Sequence, residues 1–415
     1  MSEQSVEWDR LVIVGASHAG VACAEQMRAN GFDGQISLID LLPGKPLERP
    51  PLSKAYLQAE NDDETGFLLR RNEWYQTQNV TLYDGVAVTR IDPVRCQLMM
   101  GDGRSLDYDR LVLATGATPR HLDAARDMKG VFVLRDPRHA RAIRAAMKGS
   151  KTVVIVGGGY IGLEAAASCA KAGMEVHVIE MADRLLARVA SPEISAFFVR
   201  LHEAHDVTIH LGRAVADILS NNGVFHALKL SDNTIIEADM MIVGIGVLPE
   251  IKMAADAGLE TDNGILVDDM MRTSHAKIYA IGDVARRRTA SLRIESVDHA
   301  QTSATIAAAS LCGVPAPMSA APWFWSEQFN VRLQSAGIVP PESPSVRYIK
   351  RLGKREGGFS IWSYEAERLV AVESVRDPAA YMLGKACLDK EINPSPEEIA
   401  NPTFDLKVRV ALGGR

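Results

Sequence analysis

Residues 152–180 read TVVIVGGGYIGLEAAASCAKAGMEVHVIE. Positions 153–156 are a run of Val and Ile, the composition of a strand buried on both faces. Gly157-Gly158-Gly159-Tyr160-Ile161-Gly162 follows, a complete G-x-G-x-x-G. Alanine-rich sequence with apolar residues at helical spacing then closes at Gly173, and a second strand over 175–179 ends at Glu180. Strand, glycine turn, helix, strand and acid within ~30 residues form a dinucleotide fingerprint. Gly157 permits the tight turn, and Gly159 lets backbone N–H groups reach a pyrophosphate at the positive end of the helix. Gly162 lets helix and strand pack closely. Glu180 is placed to accept hydrogen bonds from both hydroxyls of an adenosine ribose.

The pattern occurs a second time near the start of the chain. A strand over 11–14 leads into Gly15-Ala16-Ser17-His18-Ala19-Gly20, then a helix over 21–29, Gly31, and a strand over 35–39 that ends in Asp40. Ser17 replaces the middle glycine. Its Cβ narrows the approach to a pyrophosphate, although its hydroxyl can donate to one. His18 reads as a solvated or capping residue. Two such fingerprints imply two dinucleotides, and the economical pair is a bound flavin and a diffusing nicotinamide.

A length of 415 residues suggests two or three domains. The net charge of −6 carries no signal for nucleic acid or an anionic membrane. Cys23, Cys96, Cys169, Cys312 and Cys387 are scattered, odd in number and without a C-x-x-C, as expected in a reducing cytoplasm. The opening MSEQSVEWDR has no signal-peptide character, and no apolar run approaches a membrane span. No cluster suggests a metal.

Glu48-Arg49-Pro50-Pro51-Leu52-Ser53-Lys54 is stiffened by its prolines, and Ser53 is placed to cap a helix from Lys54 onward. Such a segment is suited to presenting one lysine. The spacing predicts a helix over 67–75, a strand over 80–92, and a buried strand over 111–114 before Thr115-Gly116-Ala117-Thr118-Pro119-Arg120.

With these motifs in place, the chain resembles two-dinucleotide flavoproteins of the glutathione-reductase fold. Among them it is similar to the NADH-dependent ferredoxin reductases of bacterial oxygenase systems, the putidaredoxin reductase and biphenyl-dioxygenase reductase family. Residues 15–20, 49–54, 115–120, 157–164, 244–249, 279–285, 295–300 and 322–328 carry the likeness in order along the chain. Ser17 and Leu47-Glu48, where the family more often has an aromatic, depart from it.

The resemblance implies an α/β fold of two Rossmann-like dinucleotide-binding domains and a small α+β C-terminal domain. Residues 1–117 and 246–320 would form the FAD-binding domain, 118–245 the NADH-binding domain, and 321–415 the third. It implies FAD on Gly15, Ser17, His18, Ala19, Gly20, Asp40, Arg49, Lys54, Ala87, Ala114, Thr115, Gly116, Asp283, Val297 and Trp325. In this fold an aspartate such as Asp283 bonds the ribityl chain, and the N-terminus of the following helix faces the pyrophosphate. NADH would rest on Gly157, Gly159, Tyr160, Ile161, Gly162, Glu180 and Gly246. Lys54 would stand near flavin N5 as an electrostatic catalyst, held by Glu164. The implied acceptor is a [2Fe–2S] ferredoxin that serves a P450 or Rieske oxygenase, and the implied state is a monomer or weak homodimer.

Disulfide reductases of this fold carry a cysteine pair near 49–54, and its peroxidases and oxidases carry one cysteine; between Cys23 and Cys96 this chain has none. Other acceptors (rubredoxin, a quinone, monodehydroascorbate, oxygen) would keep nearly all these motifs; an apoptosis-inducing-factor-like NADH sensor is the non-enzymatic alternative, of a class that typically adds a targeting segment and a long insertion in the C-terminal domain, neither visible here. Arg184, four residues beyond Glu180, could instead favour NADPH. In the aromatic stretch 322–328, Trp323 and Phe324 read as core, while the resemblance sets Trp325 beside the flavin. Arg347, Lys350, Arg351, Lys354 and Arg355 form either a docking patch for an acidic partner or a solvated rim.

Overall fold

The computed structural model describes residues 8–61, 63–317 and 320–413, so most of the opening MSEQSVEWDR lies outside the described residues. The chain divides into two compact units. The first comprises Met1–Arg49, Asn61–Thr118 and Val247–Met318, and the second Pro50–Glu60, Pro119–Gly246 and Ser319–Arg415.

In the first unit a five-stranded parallel sheet runs in the order Ile278–Ala280, Arg110–Leu113, Arg10–Val14, Gln35–Ile39, Val80–Tyr83. Its centre is the apolar run Leu11, Val12, Ile13, almost wholly buried, as a strand covered on both faces must be. The helices His18–Ala29 and Val297–Cys312 pack on each other. Their facing residues are small, which permits close approach, and Cys312 Sγ comes to 3.8 Å from Met27 Sδ.

The helix expected over 67–75 is instead a 3-10 turn at Thr65–Phe67 and a short helix at Asn72–Thr77. Leu68 and Leu69 between them are drawn out to bond the backbone of Leu47 and Pro46. The strand expected over 80–92 is two strands, Val80–Tyr83 and Val88–Asp92. Gly85, at φ +71°, turns the chain from the parallel sheet into an antiparallel ribbon with Gln97–Met100 and Ser105–Asp107.

The second unit holds a five-stranded parallel sheet in the order Val207–Leu211, Glu175–Glu180, Thr152–Val156, Met240–Val243, Val131–Val133. It also holds a five-stranded antiparallel sheet in the order Trp323–Gln328, Val331–Gly337, Arg368–Val375, Phe359–Glu365, Val346–Leu352. The stretches read from sequence as NADH-binding and C-terminal domains thus lie in one compact unit. Buried bonds cross between them, among them Ser191 N to both carboxylate oxygens of Glu373 at 3.1 Å.

Residues 50–60, read as part of the first lobe, belong to this second unit. Ser168 Oγ donates to Ser53 O at 2.7 Å, Gln58 Nε2 donates to Ser168 Oγ at 3.1 Å, and Arg144 lies over the Tyr56 ring. Among the described residues no helix is long and apolar enough to cross a membrane.

Candidate active site

In the first unit the glycine turn follows the central strand at its carboxyl end, where open α/β sheets take ligands. A Cβ on Gly15 (φ +105°) would lie 2.1 Å from Ala114 O, so only glycine lets the turn pass the neighbouring strand end and bring Ala114, Thr115 and Gly116 beside it. Ser17 is the N-cap of the helix, but its side chain makes no capping bond. Its Oγ accepts from Arg49 Nε at 3.2 Å, so the substitution at the middle glycine position ties Arg49 to the turn. His18 and Ala19 open the helix. Asp40 ends the next strand and accepts from Leu42 N at 3.2 Å. Ala87 O accepts from Gly101 N in the adjoining ribbon.

Asp283 also follows a strand of this sheet. It lies in the 3-10 turn Gly282–Val284, which leads into the strand Ala285–Arg287, not into a helix. The expected helix N-terminus arrives only at Val297, capped by Ser296 Oγ accepting from His299 N. Gly282 (φ +68°) sits so close to the first helix that a Cβ there would be 2.8 Å from that of Ala19. Asp283 is the residue that follows this close approach. His299 Nε2, in the first turn of the later helix, is buried with no partner among the described residues. An uncapped helix N-terminus, a glycine cradle, a carboxylate and an orphaned ring nitrogen fit the diphosphate and hydroxyls of a flavin dinucleotide.

In the second unit the turn is repeated: a Cβ on Gly157 (φ +110°) would lie 2.5 Å from Gly244 O. Gly159 caps the helix Tyr160–Lys171 without a side chain, and a Cβ there would meet nothing within 4 Å. The helix end therefore faces open space, as pyrophosphate binding requires. Gly162 completes the motif in the first turn, and Ile161 beside it is 48% exposed. Glu180 Oε2 accepts from Gly158 N at 2.7 Å and Oε1 from Ala182 N at 2.8 Å, which fixes the carboxylate beside the glycine turn. Gly246 lies against Arg188 and Arg120. Arg184 is occupied within the chain: it donates to Ala187 O and Ala190 O and pairs with Glu342 at 2.8 Å. These groups fit an adenine dinucleotide with a free 2′-hydroxyl.

One turn into the same helix is Glu164, only 3% exposed. Lys54 Nζ donates to its Oε2 at 2.7 Å and Ser53 Oγ to the same oxygen at 2.5 Å. Ser326 Oγ donates to Oε1 at 2.7 Å. No α-helix starts at Lys54; Pro50–Ser53 is a single 3-10 turn, so Ser53 turns to the carboxylate instead of capping. Three donors on a buried carboxylate are the condition under which an ion pair survives burial.

The strand Trp323–Gln328 is an edge strand, and this corrects the reading of Trp323 and Phe324 as core: both are half-buried, as is Trp325. Strand alternation puts Phe324, Ser326 and Gln328 on one face. Phe324 packs in a tilted arrangement against Tyr160 with centroids 4.5 Å apart, and Gln328 Oε1 meets His202 Nε2 at 2.8 Å. Trp325 stacks on Trp323 on the other face, centroids 5.3 Å apart. Ser326, Gln328 and His202 escaped the sequence reading, and Ser53 was read only as a helix cap. Ser326-Glu327-Gln328 is an unbroken polar run, so the sequence carried no alternation that would have singled out Ser326 and Gln328.

The basic cluster does not form one patch. On the strand Val346–Leu352, Arg347 and Arg351 face opposite to Lys350. Arg347 pairs with Glu367 and Glu397, Arg351 donates to the carbonyls of Ile399, Asn401 and Phe404, and Lys350 lies over the Phe359 ring. Lys354 and Arg355 are exposed.

Residues 9–304 match the family model described as pyridine nucleotide-disulphide oxidoreductase, and residues 323–410 match a reductase C-terminal domain. The chain belongs to the pyridine nucleotide-disulphide oxidoreductase family. It is 37% identical over 406 residues to rhodocoxin reductase of Rhodococcus erythropolis, covering 97% of this chain and 94% of that protein. It is 38% identical over 413 residues to putidaredoxin reductase of Pseudomonas putida, covering 97% of each. The structure superposes on the reductase of the covalent putidaredoxin reductase–putidaredoxin complex with a TM-score of 0.92 at 37% identity, over 98% of this chain and 99% of that one. The chain is thus an FAD- and NADH-dependent oxidoreductase.

The family takes its name from a disulfide, and the five cysteines here are free. Cys23 and Cys169 are buried on the two glycine-motif helices, where burial pushes each thiol up to about 12. Burial raises Cys312 and Cys387 to about 11. Burial that raises a thiol suits packing and works against nucleophilic reactivity.

Proposed function

We propose that this chain passes electrons from NADH to a [2Fe–2S] ferredoxin that feeds a bacterial oxygenase of the cytochrome P450 or Rieske type, in the cytoplasm. The observation that carries the reading is Lys54 held against a buried, triply bonded Glu164 in a segment without cysteine. FAD, when bound, supplies acceptance of an electron pair and its delivery one electron at a time.

The residues that would hold FAD are those of the first glycine turn, Gly15, Ser17, His18, Ala19 and Gly20, with Asp40, Arg49, Ala87, Ala114, Thr115, Gly116, Asp283 and Val297. Those that would hold NADH are Gly157, Gly159, Tyr160, Ile161, Gly162, Glu180 and Gly246. Lys54 supplies a fixed positive charge where negative charge develops, and Glu164 sets its direction. Trp325 supplies a flat, amphipathic surface for approach of the acceptor.

Cytochrome c reduction by NADH, measured with and without a [2Fe–2S] ferredoxin, tests the proposal. The rate should rise many-fold with ferredoxin, and an unchanged rate would point to another acceptor. Trp325→Ala should slow ferredoxin reduction far more than ferricyanide reduction. Equal loss with both acceptors would assign Trp325 to flavin binding alone.

A further inference from the structure

Glu164 is the end of a longer buried chain of polar groups. Ser326 Oγ donates to Glu164 Oε1 at 2.7 Å, Gln328 Nε2 donates to Ser326 Oγ at 3.2 Å, and His202 Nε2 meets Gln328 Oε1 at 2.8 Å. Ser326, Gln328 and His202 are all but inaccessible to solvent, so no water can exchange for any of these partners. The chain draws on three elements. Glu164 is on the helix Tyr160–Lys171, Ser326 and Gln328 are on the strand Trp323–Gln328, and His202 is on the helix Pro192–Glu203.

The direction of the bonds follows from proton counting. His202 Nδ1 is buried and has no partner among the described residues. A proton placed there would be an unsatisfied buried donor, so the neutral ring carries its proton on Nε2. Burial holds His202 neutral, pushed down to about 4. With Nε2–H donating, the facing atom of Gln328 must be its carbonyl oxygen, which turns the amide N–H₂ toward Ser326. Ser326 has a single proton. Because Gln328 fills an acceptor position on its oxygen, that proton is directed to Glu164. Every donor in the chain points toward the carboxylate that holds Lys54.

We propose that Gln328 and His202 are positioning residues for Lys54: through Ser326 they fix the Glu164 carboxylate, and with it the direction of the Lys54 ammonium. The proposal rests on the role of Lys54 given above. A sheet and helix could be packed at this place by apolar side chains of the same size, at no loss of stability. The polar set therefore buys orientation of the ion pair. Without it, Glu164 keeps Ser53 and Lys54 on Oε2 alone and is free to rotate about its terminal torsion.

The test uses the FAD-loaded protein without ferredoxin, so its failure is separate from an error about the acceptor. Anaerobic single-turnover reduction of the flavin by NADH is followed in His202→Phe, Gln328→Met and Ser326→Ala. Each should lower the limiting rate on the order of 10-fold while the Kd for NADH changes less than about 2-fold, the mark of an interaction that serves the transition state. His202→Gln, whose amide nitrogen can take the place of Nε2, should restore most of the rate. Nitrogen-15 NMR of histidine-labelled wild-type protein reads the chain independently of activity. His202 should show protonated Nε2 and bare Nδ1, and should not titrate between pH 6 and 8 on the scale set by an ordinary histidine. A proton on Nδ1, or a wild-type limiting rate in FAD-loaded Gln328→Met and Ser326→Ala, overturns the proposal, whether or not His202→Phe folds.

Discussion

Lys54 Nζ lies 2.7 Å from Glu164 Oε2, although 110 residues separate them in the chain. The contact depends on a second one, a helical turn further along. Ser168 sits four residues after Glu164, grips the carbonyl of Ser53 and accepts from Gln58 Nε2, so the segment is pinned to the nucleotide-binding helix on both sides of its lysine. The pair is placed by the segment's backbone, not by the reach of a flexible side chain.

Lys54→Met should therefore keep FAD bound and slow its reduction by NADH by roughly 100-fold, the lower end of the cost of losing one electrostatic donor at a reacting centre. Stopped-flow flavin reduction measures this. An unchanged rate removes Lys54 from the mechanism. Glu164→Ala should also destabilise the fold by about 3 kcal/mol, because it strands the Lys54 charge and the two hydroxyl donors.

Nucleotide choice should depend on Glu342. Its carboxylate and two backbone carbonyls hold Arg184, the side chain nearest in sequence to Glu180 that could meet a 2′-phosphate. Glu342→Ala should raise kcat/KM for NADPH by roughly 5- to 10-fold, about 1 to 1.4 kcal/mol, with that for NADH little changed. Steady-state kinetics with both nucleotides decide it. A wild-type enzyme that prefers NADPH would reverse the assignment.

Thiol reagents should find one site. Cys96 is half-buried, and Lys277 Nζ donates to its Sγ at 3.3 Å, while Cys23, Cys169, Cys312 and Cys387 are buried. Titration of native protein with a chromogenic disulfide should release about one equivalent quickly without loss of turnover, as reactivity follows access and thiolate character. Loss of turnover on replacing a single cysteine, with FAD content preserved, would reopen a thiol mechanism.

Glu373 should make the protein more stable in mild acid than at pH 8. Burial raises its carboxyl from 4.5 to about 7, only partly opposed by the bonds from Ser191. Between those values the native state holds a proton that the unfolded chain has lost, so stability falls as pH rises through the window. Urea unfolding should show Glu373→Gln gaining on wild type between pH 5 and pH 8. A pH-independent difference would mean that Glu373 titrates normally.

Both nucleotide turns, the two parallel sheets and the absence of redox cysteines from 49–54 could be read from the chain, because each rests on local rules. Glycine stereochemistry selects the turns at Gly15 and Gly157, and unbroken apolar runs such as 153–156 belong to strands covered on both faces. Other features were decided only by packing. Five cations close in sequence allowed either one docking patch or a solvated rim, yet strand alternation sends Arg347 and Lys350 to opposite faces, acidic or carbonyl partners absorb two of the five, and an aromatic ring takes a third. The helix expected to follow Asp283 comes only at Val297, after the strand Ala285–Arg287. Ser326 and Gln328 looked like the polar remainder of an aromatic stretch. Their meaning appeared once the edge strand carrying them lay between the helices of Glu164 and His202. A buried polar side chain takes its role from the partner that satisfies it, and that partner, over a hundred residues away in both cases, is supplied by the tertiary structure.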